Sequence, residues 1–460
     1  MASHLESLGL GRNARIGIGL RTEPDFLILM LAVWRFGGAA VPLNFRSRPA
    51  EITDAISTFD LDLVLAREPM GISPADRVIA ADDGWREEIE RQDPDSFQPK
   101  PPGEIALIGL TSGTTGRPRG ICTTYEQLDI RRRLYLKRVG RNGPARQGPF
   151  LSVLPLAFRG GNAICTRQLI EGGSIVMLPA MSSAKEMVEA ARCERAASAL
   201  IAPPIVRAML ELDAPGPILL PEMTWLSNGG GPLTPQEKLA ARRRISPAFA
   251  DSYASGIVGE ISVLAGKDLD LHPESVGRLV PHLTAEIVDQ DDRPLPVGET
   301  GFLRLQVDGQ PNLILGGDPA SDNGFNDTIR DGWNYPGDMA RLDEDGLLYL
   351  EGRSTDMIVV GGSNVYPQEV DNVLCAHPAV TAAAAVGCPA DKLGEVVVAF
   401  VVAGDAVDKT TLIDHCREHL TAYKRPRDII FVDRLPCNAN GKVVRRELKA
   451  RLLQEGFSGF

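Results

Sequence analysis

The stretch Leu110-Thr111-Ser112-Gly113-Thr114-Thr115-Gly116-Arg117-Pro118-Arg119-Gly120 follows a short apolar run, Ile105 to Leu110, and packs hydroxyls, glycines and two cations together. Glycine lets the backbone turn its N–H groups toward an anion at close range, the threonines and Ser112 add hydroxyl donors, and Arg117 and Arg119 supply fixed positive charge. That is the composition of a phosphate-gripping loop. No Gly-x-x-x-x-Gly-Lys-Ser/Thr spacing occurs, so the common hydrolase P-loop is set aside. An ordinary polar turn after a strand accounts equally well for the run taken alone.

Outward from this stretch, the chain alternates strand and helix. Leu5 to Leu10 reads as the end of a helix running into Gly11, Arg15 to Leu20 as a buried strand, and Pro24 opens an apolar helix through Phe36 that Gly37 and Gly38 close. Ala40 to Leu43 is the next strand, Ala50 to Thr58 another helix, and Leu61 to Leu65 another strand. Further strands fall at Phe150 to Leu154, Gly173 to Leu178, Ala199 to Ala202 and Trp225 to Ser227. This pattern predicts parallel sheets with helices on their faces, and a phosphate loop at the carboxyl end of one strand. After Leu279 short strands take over, Thr284 to Asp289 and Arg304 to Val307, with the Pro/Gly-rich Arg293 to Gly301 between them, which predicts a small β unit. Beyond Arg353 the chain reads as a compact α/β module, and the boundary is placed near Gly352 to Asp356.

With 460 residues, 43% apolar and 24% charged, the chain can bury a large core and supports two or more domains. A formal charge of -11 argues against nucleic acid or an acidic membrane as the main partner. The basic clusters Arg131 to Arg133 and Arg242 to Arg244 read as solvated helix faces. Seven cysteines without a Cys-x-x-Cys pair suit a reducing interior, with neither a disulfide framework nor a zinc site. The run Phe26 to Trp34 is too short to span a bilayer and no signal-peptide pattern opens the chain, so the expected location is the cytoplasm.

Four further stretches carry chemistry. Ser227 to Leu233, Ser-Asn-Gly-Gly-Gly-Pro-Leu, is a glycine run after a strand, where bare backbone can lie flat against a planar ring. Asp331 to Asp338 ends on a carboxylate held after a glycine turn, a placement that suits ribose hydroxyls. Gly352 to Pro367 joins an arginine at the domain junction to a glycine hairpin, Gly361-Gly362. Pro436 to Arg445 sets Lys442 on a glycine-bearing loop.

In this order and with these separations, the stretches resemble the adenylate-forming superfamily, which includes acyl-CoA and aryl-CoA synthetases, firefly luciferase and peptide-synthetase adenylation domains. The resemblance covers nearly the whole chain. Asp356-Met357-Ile358 leading to Asn364-Val365-Tyr366-Pro367-Gln368-Glu369-Val370 is similar to the junction of the fatty-acyl-CoA and aromatic-acyl-CoA ligases. The fold implied is α/β: residues 1–352 form a large N-terminal domain of stacked αβ subdomains plus the small β unit, which binds AMP and the acyl group. Residues 353–460 form a small mobile lid domain. The activity implied has two steps, acyl-adenylate formation from a carboxylic acid and ATP, then transfer to CoA.

The resemblance also assigns roles. Thr111, Ser112, Gly113, Thr114, Thr115, Gly116 and Arg119 would hold the phosphates, and Lys442 would approach the carboxylate and α-phosphate during adenylation. Gly229, Gly230 and Gly231 would border adenine, Tyr253 would stack on it, and Asp338 with Arg353 would hold the ribose. Gly361 and Gly362 would line the CoA tunnel, where a side chain would block the thiol. Phe158, Arg207, Asn228, Ala254 and Ser255 would line an acyl pocket spanning Phe158 to Ile164, Ala202 to Arg207, Ser227-Asn228 and Tyr253 to Ile257. Phe158 with Ala202, Ile205 and Val206 suggests an apolar, bulky acid.

Several positions depart from the family pattern. Its Tyr-Gly-x-Thr-Glu element is here Tyr253-Ala254-Ser255-Gly256-Ile257, with Ile257 where the Mg²⁺-holding glutamate is usual. Aligning on Glu260 recovers an acid for the metal and loses the tyrosine; keeping both needs a bulge. Losing such a charge-stabilising group costs about 3 kcal/mol, on the order of a hundredfold in rate. Arg119 replaces the usual phosphate-loop lysine, Phe158 a common histidine, and Thr355 the usual Asp or Lys at the hinge. The chain starts a few dozen residues into the family pattern, so one edge of the first subdomain is expected to be missing or differently built. Two alternatives follow: an enzyme that only converts acyl-AMP supplied by a partner adenylating enzyme into the thioester, and a non-catalytic adenylate-binding protein.

Overall fold

The computed structural model describes residues 1–67, 77–92, 103–111, 119–140, 143–179, 182–213, 216–311, 313–316, 329–390, 393–404, 407–437 and 443–454. Phosphate-loop residues 112–118 and Lys442 therefore lie outside the described residues, as does the side chain of Thr111.

Two seven-stranded sheets form the body of the chain. The first runs in the order Leu313–Gly316, Arg119–Thr124, Ile105–Thr111, Ala39–Pro42, Arg15–Gly19, Leu63–Ala66, Val78–Ala80. The second runs Arg278–Leu279, Gly259–Ala265, Phe249–Ser255, Trp225–Asn228, Ser198–Ile201, Phe150–Ser152, Ile175–Met177. The Pro24–Phe36 helix lies between them. Pro24 presets its first turn and Gly37, at φ 89°, ends it in the left-handed region that glycine alone enters cheaply. Its Phe26, Leu29, Met30, Val33 and Phe36 are fully buried in a cluster that joins Ile16, Ile18 and Leu65 to Phe150, Leu156 and Cys165. Apolar side chains on most of its faces are what a helix sandwiched between sheets requires.

The expected parallel pairing holds for Arg15–Gly19 with Ala39–Pro42 and Leu63–Ala66, and for Trp225–Asn228 with both neighbours. The phosphate stretch differs. Ile105–Thr111 pairs antiparallel with Arg119–Thr124, Thr111 opposite Arg119, so the loop closes a hairpin and does not lead from a strand into a helix. Strand alternation in sequence does not encode direction; here the return strand is fixed by Gly120, which lets it lie against Ile108 and Phe59. A Cβ at Gly120 would stand 2.5 Å from Ile108 Cγ2 and 2.8 Å from Phe59 Cε1.

A third, mostly antiparallel sheet follows, with Gly301–Val307 between Leu283–Val288 and the pair Asp338–Leu342, Leu348–Arg353. Its last strand ends at Arg353, and the fourth sheet starts at Ile358–Val360. That sheet pairs Val380–Ala390 with Gly394–Ala403 around a separate apolar cluster of Ile358, Val365, Leu374, Val397 and Leu412. Asp371, on the Pro367–Cys375 helix, accepts from the Ala385 N–H at 2.6 Å and is ion-paired with Arg445, fastening the Arg445–Gln454 helix to this sheet. Among the described residues no helix is long and apolar enough to cross a membrane.

If Gly120 is kept bare by packing, Gly120→Ala will lower unfolding stability by about 1–3 kcal/mol, the cost of overpacking a core. A urea melt checks this, and an unchanged midpoint would mean that the return strand has room.

Candidate active site

The Phe249–Ser255 strand and the start of Asp338–Leu342 meet at one buried carboxylate, and Trp225–Asn228 runs parallel beside the first of them. Asp338 is 8% exposed; one oxygen lies 2.8 Å from Arg353 Nε and the other accepts from the Tyr253 hydroxyl. Arg353 also donates to the Pro336 carbonyl at 2.7 Å, and the Ser354 hydroxyl to Gly337 O at 3.1 Å. Burial, with the Asp338 carboxylate beside it, pushes the Tyr253 phenol well above its ordinary range, so it stays a donor. Three residues assigned to one nucleoside are thus brought together from two sheets. Tyr253 differs from its assignment in one respect: its hydroxyl is tied to the ribose-side acid.

The glycine run leaves the second sheet here. Gly229 N donates to Ile201 O at 3.0 Å, and Gly230 turns at φ +87° with open space where a Cβ would be. Asn228, fully buried, holds this turn from behind by donating to Gly231 O at 3.3 Å and to Asp251 Oδ1 at 2.6 Å. Asp251 in turn pairs with Lys238 at 2.9 Å, and Lys238 donates to Ser275 O at 2.8 Å. Lys238 and Asp251 were missed in the sequence, where they stand thirteen positions apart without a motif. Asn228 thus supports the glycine turn from within the sheet.

The expected acyl-pocket residues stand on several elements. Phe158 caps the start of the Arg159–Ile170 helix, and Ala254 and Ser255 end the Phe249–Ser255 strand, where Ser255 Oγ accepts from Val258 N at 3.1 Å. Arg207 does not join them. It is 46% exposed and pairs with Glu237 at 2.5 Å, because Val206 and Met209 take the buried face of the Pro203–Leu210 helix and leave Arg207 outside. Val206 is a fully buried core residue.

Among the described residues, neither Ile257 nor Glu260 is placed as a ligand for the family's magnesium. Ile257 is 5% exposed and packs with Val258, Ile261, Leu303 and Leu305. A bulge does occur in the hairpin, but on its second strand: Tyr253 faces Ser262 while Ala254 faces Glu260. Strand alternation then puts Glu260 on the face of Ser252 and Ala254, opposite to Tyr253. There it lies 2.5 Å from Arg138 and accepts from Ser252 Oγ at 3.2 Å. A carboxylate so paired is an arginine partner, and among the described residues no cluster of three His, Cys, Asp or Glu forms that could hold a metal.

On the C-terminal side, Gly361 (φ +56°) and Gly362 (φ +83°) make the two-residue turn between Ile358–Val360 and Ser363–Val365. A tight hairpin with positive φ at both positions calls for glycine on its own account. Both are exposed, as is Thr355 in the short turn after Arg353. Arg119 is 7% exposed at the head of its strand.

The family model described as AMP-binding enzyme matches residues 1–310, and the one described as AMP-binding enzyme C-terminal domain matches residues 369–442. A 2-succinylbenzoate–CoA ligase of Bacillus cereus is 27% identical over 467 residues, 99% of this chain and 92% of that protein. A long-chain-fatty-acid–CoA ligase of Salmonella typhimurium is 39% identical over 228 residues, 49% of this chain and 40% of its own length. Among solved structures, an amide bond synthetase from Marinactinospora thermotolerans matches with a TM-score of 0.87 at 26% identity, covering 99% of this chain and 92% of that one. The o-succinylbenzoate CoA synthetase of Bacillus subtilis, in complex with its acyl-adenylate intermediate, matches with a TM-score of 0.83 at 23% identity, covering 97% and 90%.

Asp251→Ala leaves the Lys238 ammonium buried without its counter-charge and frees Asn228, so stability should drop by about 3–5 kcal/mol. The double variant Lys238→Met with Asp251→Leu should recover most of that loss in chemical denaturation. A double variant as unstable as Asp251→Ala would contradict the pairing argument.

Proposed function

The chain belongs to the AMP-binding enzyme family, and on that premise we propose that it is an acid–thiol ligase acting through an acyl-adenylate. A carboxylate oxygen of the acid attacks the α-phosphorus of ATP, the bond to pyrophosphate breaks, and the CoA sulfur then attacks the acyl carbon and releases AMP. The observation that carries this reading is the Tyr253–Asp338–Arg353 cluster, with Gly229 next to Ser252 on the strand that bears Tyr253. Ribose hydroxyls would donate to Asp338, a buried acceptor already oriented by a phenol and a guanidinium. The bare backbone of Gly229 to Gly231 would border the adenine.

The division into residues 1–352 and 353–460 belongs to the same proposal. Arg353, which closes the third sheet and orients Asp338, stands two residues before the exposed Thr355, so a swing of the C-terminal unit there leaves the nucleoside contacts in place. Gly361 and Gly362 would form the lip of the CoA path after the swing, and Lys442 and the 112–118 loop would meet the phosphates before it. Since Ile257 and Glu260 do not make a magnesium site, no step is routed through the metal. Names among the relatives span an aryl acid and a long-chain fatty acid; the substrate of this chain is an acid of the same activated class.

Exchange of labelled pyrophosphate into ATP, with an acid panel, tests the first step, and conversion of synthetic acyl-AMP plus CoA tests the second. Both should proceed. Thioester formation without exchange would leave only the second half-reaction; binding with neither would leave an adenylate-binding protein. Asp338→Ala should weaken AMP binding about 10- to 100-fold, the worth of hydrogen bonds to a charged group, and unchanged calorimetric affinity would place the nucleoside elsewhere.

A further inference from the structure

The basic cluster read from sequence as a solvated helix face is not one. Arg132 and Arg133 do point outward and pair with Asp129, Arg132 also with Glu171. Arg131 turns inward. Its Nε donates to Gly309 O at 3.0 Å, and a terminal nitrogen donates to Ile257 O at the hairpin turn. Arg159, first residue of the Arg159–Ile170 helix, is near enough for its charge to act on Arg131; it reaches Thr123 Oγ1 at 3.4 Å, and its other terminal nitrogen is buried without a hydrogen-bond partner. Neither arginine has a carboxylate partner among the described residues. Beside them Arg167 stacks on Tyr135 at 3.7 Å, and Arg138 takes up Glu260.

Holding cations together where they are largely withdrawn from water is unfavourable, and Arg131, Arg159 and Arg167 are all partly buried. Burial first, and then the charge of Arg159, push the Arg131 guanidinium down to about 9, and burial pushes Arg159 down to about 10. The helix that Arg159 opens has no acid in its first turn, so its N-terminal dipole adds to the positive field. A stable core has no use for such an arrangement; an anion placed between the two guanidiniums would compensate it. The two elements involved, 158–164 and 253–257, are the ones assigned to the acyl pocket.

We propose that the acid this enzyme activates carries a second anionic oxygen group, a carboxylate in the simplest case, which docks between Arg131 and Arg159 while the first carboxylate is adenylated. This deepens the ligase reading, rests on it, and replaces the apolar acid expected from Phe158, Ala202, Ile205 and Val206.

The test compares dicarboxylic acids, aliphatic and aromatic, with their monomethyl esters. Binding to the full chain in the presence of AMP is measured by calorimetry, and thioester formation with ATP and CoA is measured separately. The diacids should bind at least tenfold more tightly than the esters. Arg159→Met and Arg131→Met should each erase most of that preference, with Arg159→Lys restoring part of it. Arg159→Met should also raise the melting temperature of the free protein, since it removes an uncompensated charge; a purely structural arginine would lower it. Esters that bind as well as diacids to the wild type, or a preference that survives both methionine variants, overturn the proposal. Diacid binding that depends on Arg159 without any turnover would support the anion site while the ligase reading fails.

Discussion

One buried carboxylate sets the geometry of this molecule. Asp338 belongs to the third sheet, accepts from Tyr253 of the second, and is clamped by Arg353, the last residue before the chain passes to the fourth. Its solvation is provided by those two side chains, so neither sheet can shift far without stranding a charge. The position of the second sheet relative to the junction is therefore fixed electrostatically where the site requires it. The apolar clusters on either side, one around Ile257 and Leu303 and one around Phe249 and Leu226, supply most of the favourable area but no direction.

The second sheet repeats this logic at a smaller scale. Lys238, Asp251 and Asn228 form a buried chain whose only outlet toward the site is the Gly231 carbonyl. A buried polar network of this kind, satisfied except at Asn228 Oδ1, rigidifies a turn that its own residues, three glycines, would leave loose. Glycine gives the turn its closeness to a ligand and the network behind it gives the turn its position.

Much of the scaffold was legible in the sequence because it rests on local signals. Pro24 and Gly37 punctuate their helix to the residue, and strand positions follow from apolar runs between turn residues. Direction was legible for the strands joined through helices and not for the phosphate stretch: Ile105–Thr111 and Arg119–Thr124 pair antiparallel, and the packing that reveals this, Gly120 against Phe59, joins residues sixty-one positions apart. The motif residues Tyr253, Asp338 and Arg353 were found because the chemistry of a nucleoside site fixes their types. Lys238 and Asp251 escaped because any ion pair at any separation can hold a turn. Arg131 escaped for the opposite reason, since three consecutive arginines on a helix point in three directions and composition alone averages them. Arg207 was misplaced by the same periodicity, its helix turning Val206 inward.

The charge distribution gives the site its character. The chain as a whole carries a formal charge of -11, which repels anionic substrates at long range under weak screening. Binding of polyanions to such a molecule has to come from short-range, oriented cations. The described structure holds them in separate places with separate partners: Arg353 is committed to Asp338, Arg138 to Glu260, and Arg131 to two carbonyl oxygens that leave its charge unneutralised. An arginine paired with an acid orients that acid; an arginine held only by carbonyls keeps its full charge for whatever enters beside it. Where the family pattern sets a metal-holding glutamate, this chain has a hydrocarbon whose backbone carbonyl steadies a cation. The positive charge at the hairpin turn is thus supplied by a side chain, and it is near enough to Arg159 for the two charges to repel.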